Sequence, residues 1–276
     1  NDALLTSVTP TIGPSSGGTT LTLKGSGFAF SPHLQVRFGL HSVPATFVSS
    51  TEIKCVTQAS EVGDVSLSIT NNGVDYSGAS VKFTFRGDAR VLSVAPRGGF
   101  TSGGATVLVT GSGFTNTSSL ACKFGSKAAT KAEFVSAVSV RCTSPAADAG
   151  SVALEVSNNG LDFTKDSVQF QYLASAAVSS LTPTSGPASG GTVVTVHGFN
   201  FVDSDSLHCR FGGNGAAVPA RWICSSKVEC VAPAHPVGSV SLELSLNGQQ
   251  FTSLGAMYLY HELPIVGAIE PSRGPV

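Results

Sequence analysis

The chain of 276 residues writes nearly the same passage three times and then begins a fourth. Pro10, Pro96, Pro183 and Pro271 head equivalent segments, separated by 86, 87 and 88 residues. Behind each of the first three comes a glycine turn (Gly17-Gly18, Gly103-Gly104, Gly190-Gly191), then a short apolar alternation. A second turn follows, as Gly25-Ser26-Gly27-Phe28, Gly111-Ser112-Gly113-Phe114 and Gly198-Phe199-Asn200-Phe201. Next come Phe38-Gly39, Phe124-Gly125 and Phe211-Gly212, a cysteine at 55, 142 and 230, and a turn glycine at 73, 160 and 248. Any fold must satisfy this repetition first. The period is that of a small domain, too long for a solenoid unit, so the chain should hold three separate cores.

The second repeat shows the local logic. Thr106 to Thr110 has high β propensity and sits between two glycine turns. Leu120 to Phe124, Glu133 to Val135 and Val138 to Cys142 are further short strands. Ser151 to Val156 alternates, with Val152, Leu154 and Val156 on one face. Asn158-Asn159-Gly160 then turns the chain, because Asn and Gly accept the positive φ of a tight hairpin. The returning strand carries Val168, Phe170 and Tyr172 at period two. Short strands, frequent turns and no 3.6-residue pattern predict an antiparallel β-sandwich with almost no helix. The alternation predicts cores that include Leu21, Leu23, Phe38, Leu67 and Ile69, then Val107, Val109, Phe124, Leu154 and Val156, then Val194, Val196, Phe211, Leu242 and Leu244.

The order Pro-x-x-Gly-Pro-x-x-Gly-Gly, strand, Gly-x-Gly-Phe, Cys-x-Phe-Gly, Cys-x-x-Pro, alternating strand, Asn-Asn-Gly resembles the IPT/TIG domain. The resemblance covers the chain three times, and Ile269 to Pro275 looks like the head of a fourth copy. It implies an all-β chain of three tandem immunoglobulin-like sandwiches, of the E-set type, over 1–87, 88–174 and 175–262. Residues 263–276 would be the start of a fourth repeat or an inter-subunit linking strand. The family occurs in tandem in plexins, scatter-factor receptors and fibrocystin-like ectodomains, and singly in Rel-type transcription factors and some starch-acting enzymes. Such a resemblance fixes fold far better than function.

Composition excludes several classes. Charged residues are 12% of the chain, with 16 basic and 17 acidic side chains, so no basic stripe exists to hold nucleic acid. No apolar run reaches the 18 or so residues a membrane span needs, and no membrane insertion is expected in this segment. Asn1-Asp2-Ala3 lacks a basic head and an apolar h-region, which suggests a processed chain or an excised fragment. A surface wetted by Ser, Thr, Asn and Gln suits an extracellular or cell-surface location.

Cys122 and Cys142 lie 20 apart, and Cys209 and Cys230 lie 21 apart at matching repeat positions. Recurrence at fixed places reads as one disulfide per sandwich; the alternative is four buried free thiols. Cys55 has Val36 at its partner position and is expected to be a free buried thiol. Cys224 is also unmatched, its equivalents being Ser136 and Ser49. Asn116-Thr117-Ser118 is an N-glycosylation sequon after the second turn, so Asn116 is expected to carry a sugar, and nearby hydroxyl-rich loops could carry more.

Catalytic and cofactor chemistry is not found in the sequence. Gly13-Pro14-Ser15-Ser16-Gly17 matches the Gly-x-Ser-x-Gly elbow but lacks the strand-to-helix context, and Ser15 becomes Thr101 and Ala188 in the other copies. The six histidines form no ligand pair. Asp75 and Asp162 follow Asn-Asn-Gly turns, yet one carboxylate per loop is too few for calcium, and hairpin chemistry explains them better. Trp222 replaces Phe47 and Phe134 and is expected in the core.

The favoured reading is a non-enzymatic extracellular structural or adhesive protein, a subunit or segment of a cell-surface array or filament, with no cofactor. Its expected partners are proteins, through head-to-tail self-association or a cell-surface ligand, together with attached glycans. One alternative is a ligand-binding ectodomain segment of a plexin- or fibrocystin-like receptor. A less favoured one is an accessory module of a carbohydrate-active enzyme, which would need an exposed aromatic platform. The closing segment, His261 to Val276, would either be completed by a fourth sandwich or add to the sheet edge of a neighbouring molecule.

Overall fold

The computed structural model describes residues 3–78, 81–253, 255–263, 265 and 267. Most of the segment 263–276, on which the linking-strand expectation falls, lies outside the described residues. Every regular element among the described residues is a strand. In repeat one these are β1 (Leu4–Thr9), β2 (Ile12–Pro14), β3 (Thr20–Ser26), β4 (Gln35–Phe38), β5 (His41–Ser49), β6 (Glu52–Val56), β7 (Gly63–Thr70) and β8 (Val81–Arg86). Their order is β1-β3-β6-β5-β4-β7-β8-β2. β5 joins the two layers, since its first residues pair with β4 and its later ones with β6.

Pro10 has a structural reason. β1 runs antiparallel to β3, whereas β2, just beyond it, runs parallel to β8 in the opposite layer. A residue without an N–H is suited to the point where one ladder is abandoned and another begins. The glycine of the second turn has its own reason. A Cβ on Gly25 would stand 1.9 Å from the carbonyl oxygen of Leu4, and on Gly111 and Gly198 it would stand 2.0 Å from those of Arg90 and Ala177. The opening strand crosses too closely there for any side chain.

Contacts group the chain into two compact units: Asn1–Ala95 with Thr106–Pro145 and Ser151–Phe170, and Pro96–Ala105 with Ala146–Gly150 and Gln171–Val276. In the first unit, beside the sandwich of repeat one, Arg90–Ala95, Thr106–Ser112, Ser139–Thr143 and Glu133–Ser136 form one sheet of repeat two. Opposite it, Ala121–Phe124 pairs with residues 154–157 and with Thr130–Lys131. In the second unit Gly98–Phe100 runs parallel to residues 171–173, and repeat three reproduces the eight-strand order of repeat one.

The alternation in sequence resolves into burial as expected. Leu21, Leu23, Leu67, Ile69, Val107, Val109, Leu154, Val156, Val194, Val196, Leu242 and Leu244 have no solvent exposure, and Phe38, Phe124 and Phe211 are buried beside them. Repeat one packs Phe83 edge to face against both Phe38 and Phe85, with Phe38 and Phe85 tilted to each other and centroids 5.0 to 6.2 Å apart. Repeat three builds the same triangle from Phe211, Tyr258 and Tyr260. The hydroxyls of Tyr258 and Tyr260 are buried and make no hydrogen bond among the described residues. Each buried phenyl contributes about 1.5–3 kcal/mol by burial, with a further 0.5–1.5 kcal/mol per aromatic pair.

These triangles give opposite expectations for two substitutions. Phe83→Ala should cost about 3–5 kcal/mol in urea unfolding, because the site cannot collapse around the void. Tyr258→Phe should leave stability unchanged or raise it by roughly 1 kcal/mol, since it deletes a desolvated hydroxyl and keeps the ring. A large loss for Tyr258→Phe would show that the hydroxyl does have a partner.

Candidate functional site: the junctions between repeats

The turn after each long alternating strand is built around one asparagine. Asn72 Oδ1 accepts from the backbone N–H of Val74 and Asp75 at 3.0 and 2.9 Å. Asn159 does the same for Leu161 and Asp162, and Asn247 for Gln249 and Gln250, at the same distances. A hydroxyl two residues earlier bonds the same oxygen: Thr70 at 2.9 Å, Ser157 at 3.0 Å and Ser245 at 3.2 Å. This is side-chain mimicry of a backbone turn. It leaves the Nδ2 group of the asparagine pointing outward, where it donates to the residue three further on: Asp75 at 2.8 Å, Asp162 at 2.7 Å and Gln250 at 3.0 Å.

In repeats two and three this outward group reaches the glycine turn at the head of the preceding repeat. Asn159 Nδ2 donates to the carbonyl of Ile12 at 3.0 Å, and the Thr19 hydroxyl donates to Asp162 Oδ2 at 2.7 Å. At the next junction Asn247 Nδ2 donates to the carbonyl of Gly98 at 3.3 Å. There Gln250 accepts from Phe100 N–H at 3.1 Å and donates to the Gly103 carbonyl at 2.8 Å. Bonds to a carboxylate, such as Thr19 to Asp162, are worth about 1.5–3 kcal/mol each and neutral ones about 0.5–1.5 kcal/mol.

The link of the first junction is tied at both ends. Asp88 accepts from Ser16 N–H at 3.1 Å and from the Ser15 hydroxyl at 3.4 Å. Asp166 accepts from Val91 N–H at 2.6 Å and pairs with Arg90 at 3.5 Å. Ser15, the serine of the elbow-like motif, therefore serves a turn. A cleft of about 530 Å³ opens along this junction, lined among others by Ile12, Arg86, Asp88, Leu161 and Lys165. Its walls mix both charge signs and give no single ligand chemistry.

Next to the turn, each repeat stacks a cation on the aromatic residue that follows it. Arg37 lies over Tyr76 and Arg210 over Phe251, both at 4.0 Å, and Lys123 over Phe163 at 5.6 Å. Sequence reasoning missed both this stack and the junction bonds. The signal was present as Arg-Phe-Gly, Lys-Phe-Gly, Arg-Phe-Gly and as Asn-Gly-x-(Asp or Gln)-aromatic.

Cys122 is bridged to Cys142 and Cys209 to Cys230, with Cα atoms 5.9 and 6.3 Å apart. Cys55 and Cys224 are free thiols, the first buried and the second half-buried. Burial pushes the Cys55 thiol up to about 12. The hydrogen bond from Ser226 draws Cys224 below the ordinary thiol value. Asn116 is exposed, and Thr117 beside it is anchored to the Asn158 carbonyl at 2.5 Å. Trp222 is not core: it is 37% exposed. Its indole N–H needs an acceptor and takes the Phe201 carbonyl at 3.3 Å, which holds the ring at the rim. Among the described residues no group of three or more His, Cys, Asp or Glu side chains could hold a metal, and no helix is long and apolar enough to cross a membrane.

Three β-sandwiches with two layers each, headed by a proline crossing and closed by an asparagine turn, define a tandem immunoglobulin-like array. The IPT/TIG domain model matches residues 3–85, 89–172 and 176–260, and the chain belongs to that family. It is 27% identical over 273 residues to Fibrocystin-L of Mus musculus, covering 97% of this chain and 6% of that protein. It is 27% identical over 249 residues to Plexin-A2 of Homo sapiens, covering 83% of this chain and 13% of that one. The solved extracellular region of Plexin A4 shares the fold, with a TM-score of 0.50 at 17% identity over 97% of this chain and 25% of that chain. The chain thus spans a small part of the relatives it matches. It is an extracellular or cell-surface segment, and disulfides suit that oxidising location.

Native thiol labelling at pH 8 should modify Cys224 and spare Cys55, because the thiolate is the reactive form and Cys55 holds its proton. Cys55 should react only after denaturation. Equal labelling of both in the folded chain would contradict the buried placement of Cys55.

Proposed function

We propose that this chain is a non-enzymatic spacer in a long cell-surface ectodomain, an array whose IPT/TIG repeats are held in register by turn-to-head junctions. The observation that carries the reading is the recurrence of one device at both junctions: Asn159 on Ile12 and Asn247 on Gly98. A chain whose relatives are many times longer, with its side-chain chemistry invested in neighbour contacts, is suited to presenting other domains at a set spacing. The ligand-binding and carbohydrate-module readings lack a comparable feature. Tyr172, Tyr258 and Tyr260 are buried, and Trp222 stands on the strand Ala217–Cys224 without a second exposed ring on that strand. Partners in this reading are proteins, with a glycan at Asn116 supplementing the hydration that so few charges provide.

The junction is testable by proteolysis. Asn159→Ala with Asp162→Ala should speed tryptic cleavage at Arg86 and Arg90 by about tenfold or more, since docking of the repeats holds the link beyond its own ties through Asp88 and Asp166. Unchanged cleavage would remove the junction from the function. The sugar is checked separately: intact mass of the secreted protein should exceed the bare-chain 28.0 kDa, and Asn116→Gln should abolish the N-linked part of the difference.

A further inference from the structure

Repeat one carries the same turn as its two successors, but with its outward side chains exposed. Asn159 and Asn247 are 7% and 6% exposed, buried by the heads they dock, whereas Asn72 and Asp75 are both exposed. The local geometry is nonetheless already in place. Asn72 Nδ2 meets Asp75 Oδ2 at 2.8 Å, as Asn159 Nδ2 meets Asp162 Oδ2 at 2.7 Å. The face is pre-organised for a partner of one kind.

The two occupied junctions also show which heads fit which turns. The head of repeat one has Pro14, which offers no N–H, and the hydroxyl of Thr19, and it meets Asp162, a pure acceptor. The head of repeat two has the N–H of Phe100 and no hydroxyl at Ala105. It meets Gln250, which accepts that N–H and donates to the Gly103 carbonyl. A carboxylate could not supply that second bond. The Thr head thus meets an Asp turn, and the Ala head a Gln turn. Repeat three presents the Thr version, with Pro187 and Thr192, and Thr192 is half-buried where Thr19 has no exposure.

We propose that Asn72 and Asp75 form a docking site for the head turn of a further IPT/TIG repeat lying ahead of Ala3 in the same polypeptide, and that this neighbour carries a hydroxyl at the position of Thr19. The assignment rests on the reading of the junctions as the spacing device of the array. A neighbour on the same chain is favoured over a second copy because a few exposed hydrogen bonds do not offset the entropy of free association, whereas a short link makes docking intramolecular.

The test compares the present chain with a four-repeat chain in which residues 176–263 are copied directly before Ala3. Hydrogen exchange of residues 71–77 should slow by about tenfold in the longer chain, and the gain should vanish with Asp75→Ala or with Thr192→Val in the added copy. Equal exchange in both chains, or slowing that survives both substitutions, overturns the proposal. Slowing that appears in the three-repeat chain and grows with its concentration assigns the site to a second copy instead, and overturns the same-chain assignment. A second variant tests the pairing rule without an added repeat. Gln250→Asp should speed exchange of residues 247–252 by about tenfold, and Ala105→Thr added to it should restore the original rate within about threefold. No restoration overturns the rule. These readings stand apart from cleavage at Arg86 and Arg90, so the open docking site can fail while the spacer reading holds.

Discussion

The carboxamide of the turn asparagine works in two directions at once, and the order of the chain follows from that division. Its oxygen is committed inward, to two backbone N–H groups and a hydroxyl, so the turn is rigid before any neighbour arrives. Its nitrogen faces outward with the side chain three residues on, Asp162 or Gln250, as a small recognition surface. A flexible side chain would lose rotamer freedom on docking; here much of that entropy is already lost to the hairpin. The head it meets is equally constrained. A Cβ on Gly13 would stand 2.4 Å from the Thr19 hydroxyl, so only glycine lets that hydroxyl reach across.

The three repeats serve as natural variants of one another. Cys122 and Cys209 cross to the partner sheet, while Val36 holds the same place in repeat one with no exposure, leaving Cys55 buried beside the same core. Phe83 and Phe85 become Tyr258 and Tyr260 with the edge-to-face geometry kept. Shape is held more strictly than chemistry, as expected of a close-packed interior. At the junctions the chemistry is what changes: only the bond from the asparagine to a head carbonyl is kept, and the remaining bonds differ because both partners are exchanged together.

Much of the fold was legible because strand residues alternate between faces, so that Leu21, Val107 and Val194 declare their burial by position alone. The turn at Asn159 was legible for the same local reason. Its reach to Ile12 was not, since those residues lie 147 apart and no spacing rule links them. Hairpin chemistry accounts for half of the role of Asp162; the other half needs Thr19, 143 residues away. Trp222 was misplaced because its repeat equivalents, Phe47 and Phe134, are only half-buried, and substituting a larger ring with an N–H moves it outward.

The uneven distribution of disulfides gives the segments different extensibility under a pulling force. In repeats two and three the bridges join cysteines 20 and 21 positions apart, and the chain between them stays sequestered even if the sandwich is torn open. At about 3.5 Å per residue each bridge withholds roughly 70 Å of contour. Repeat one, with Val36 opposite Cys55, has no such stop and would pay out its full length. Under load the chain would thus offer one long-stretching element and two shorter ones, with the oxidation state of four sulfurs setting the difference.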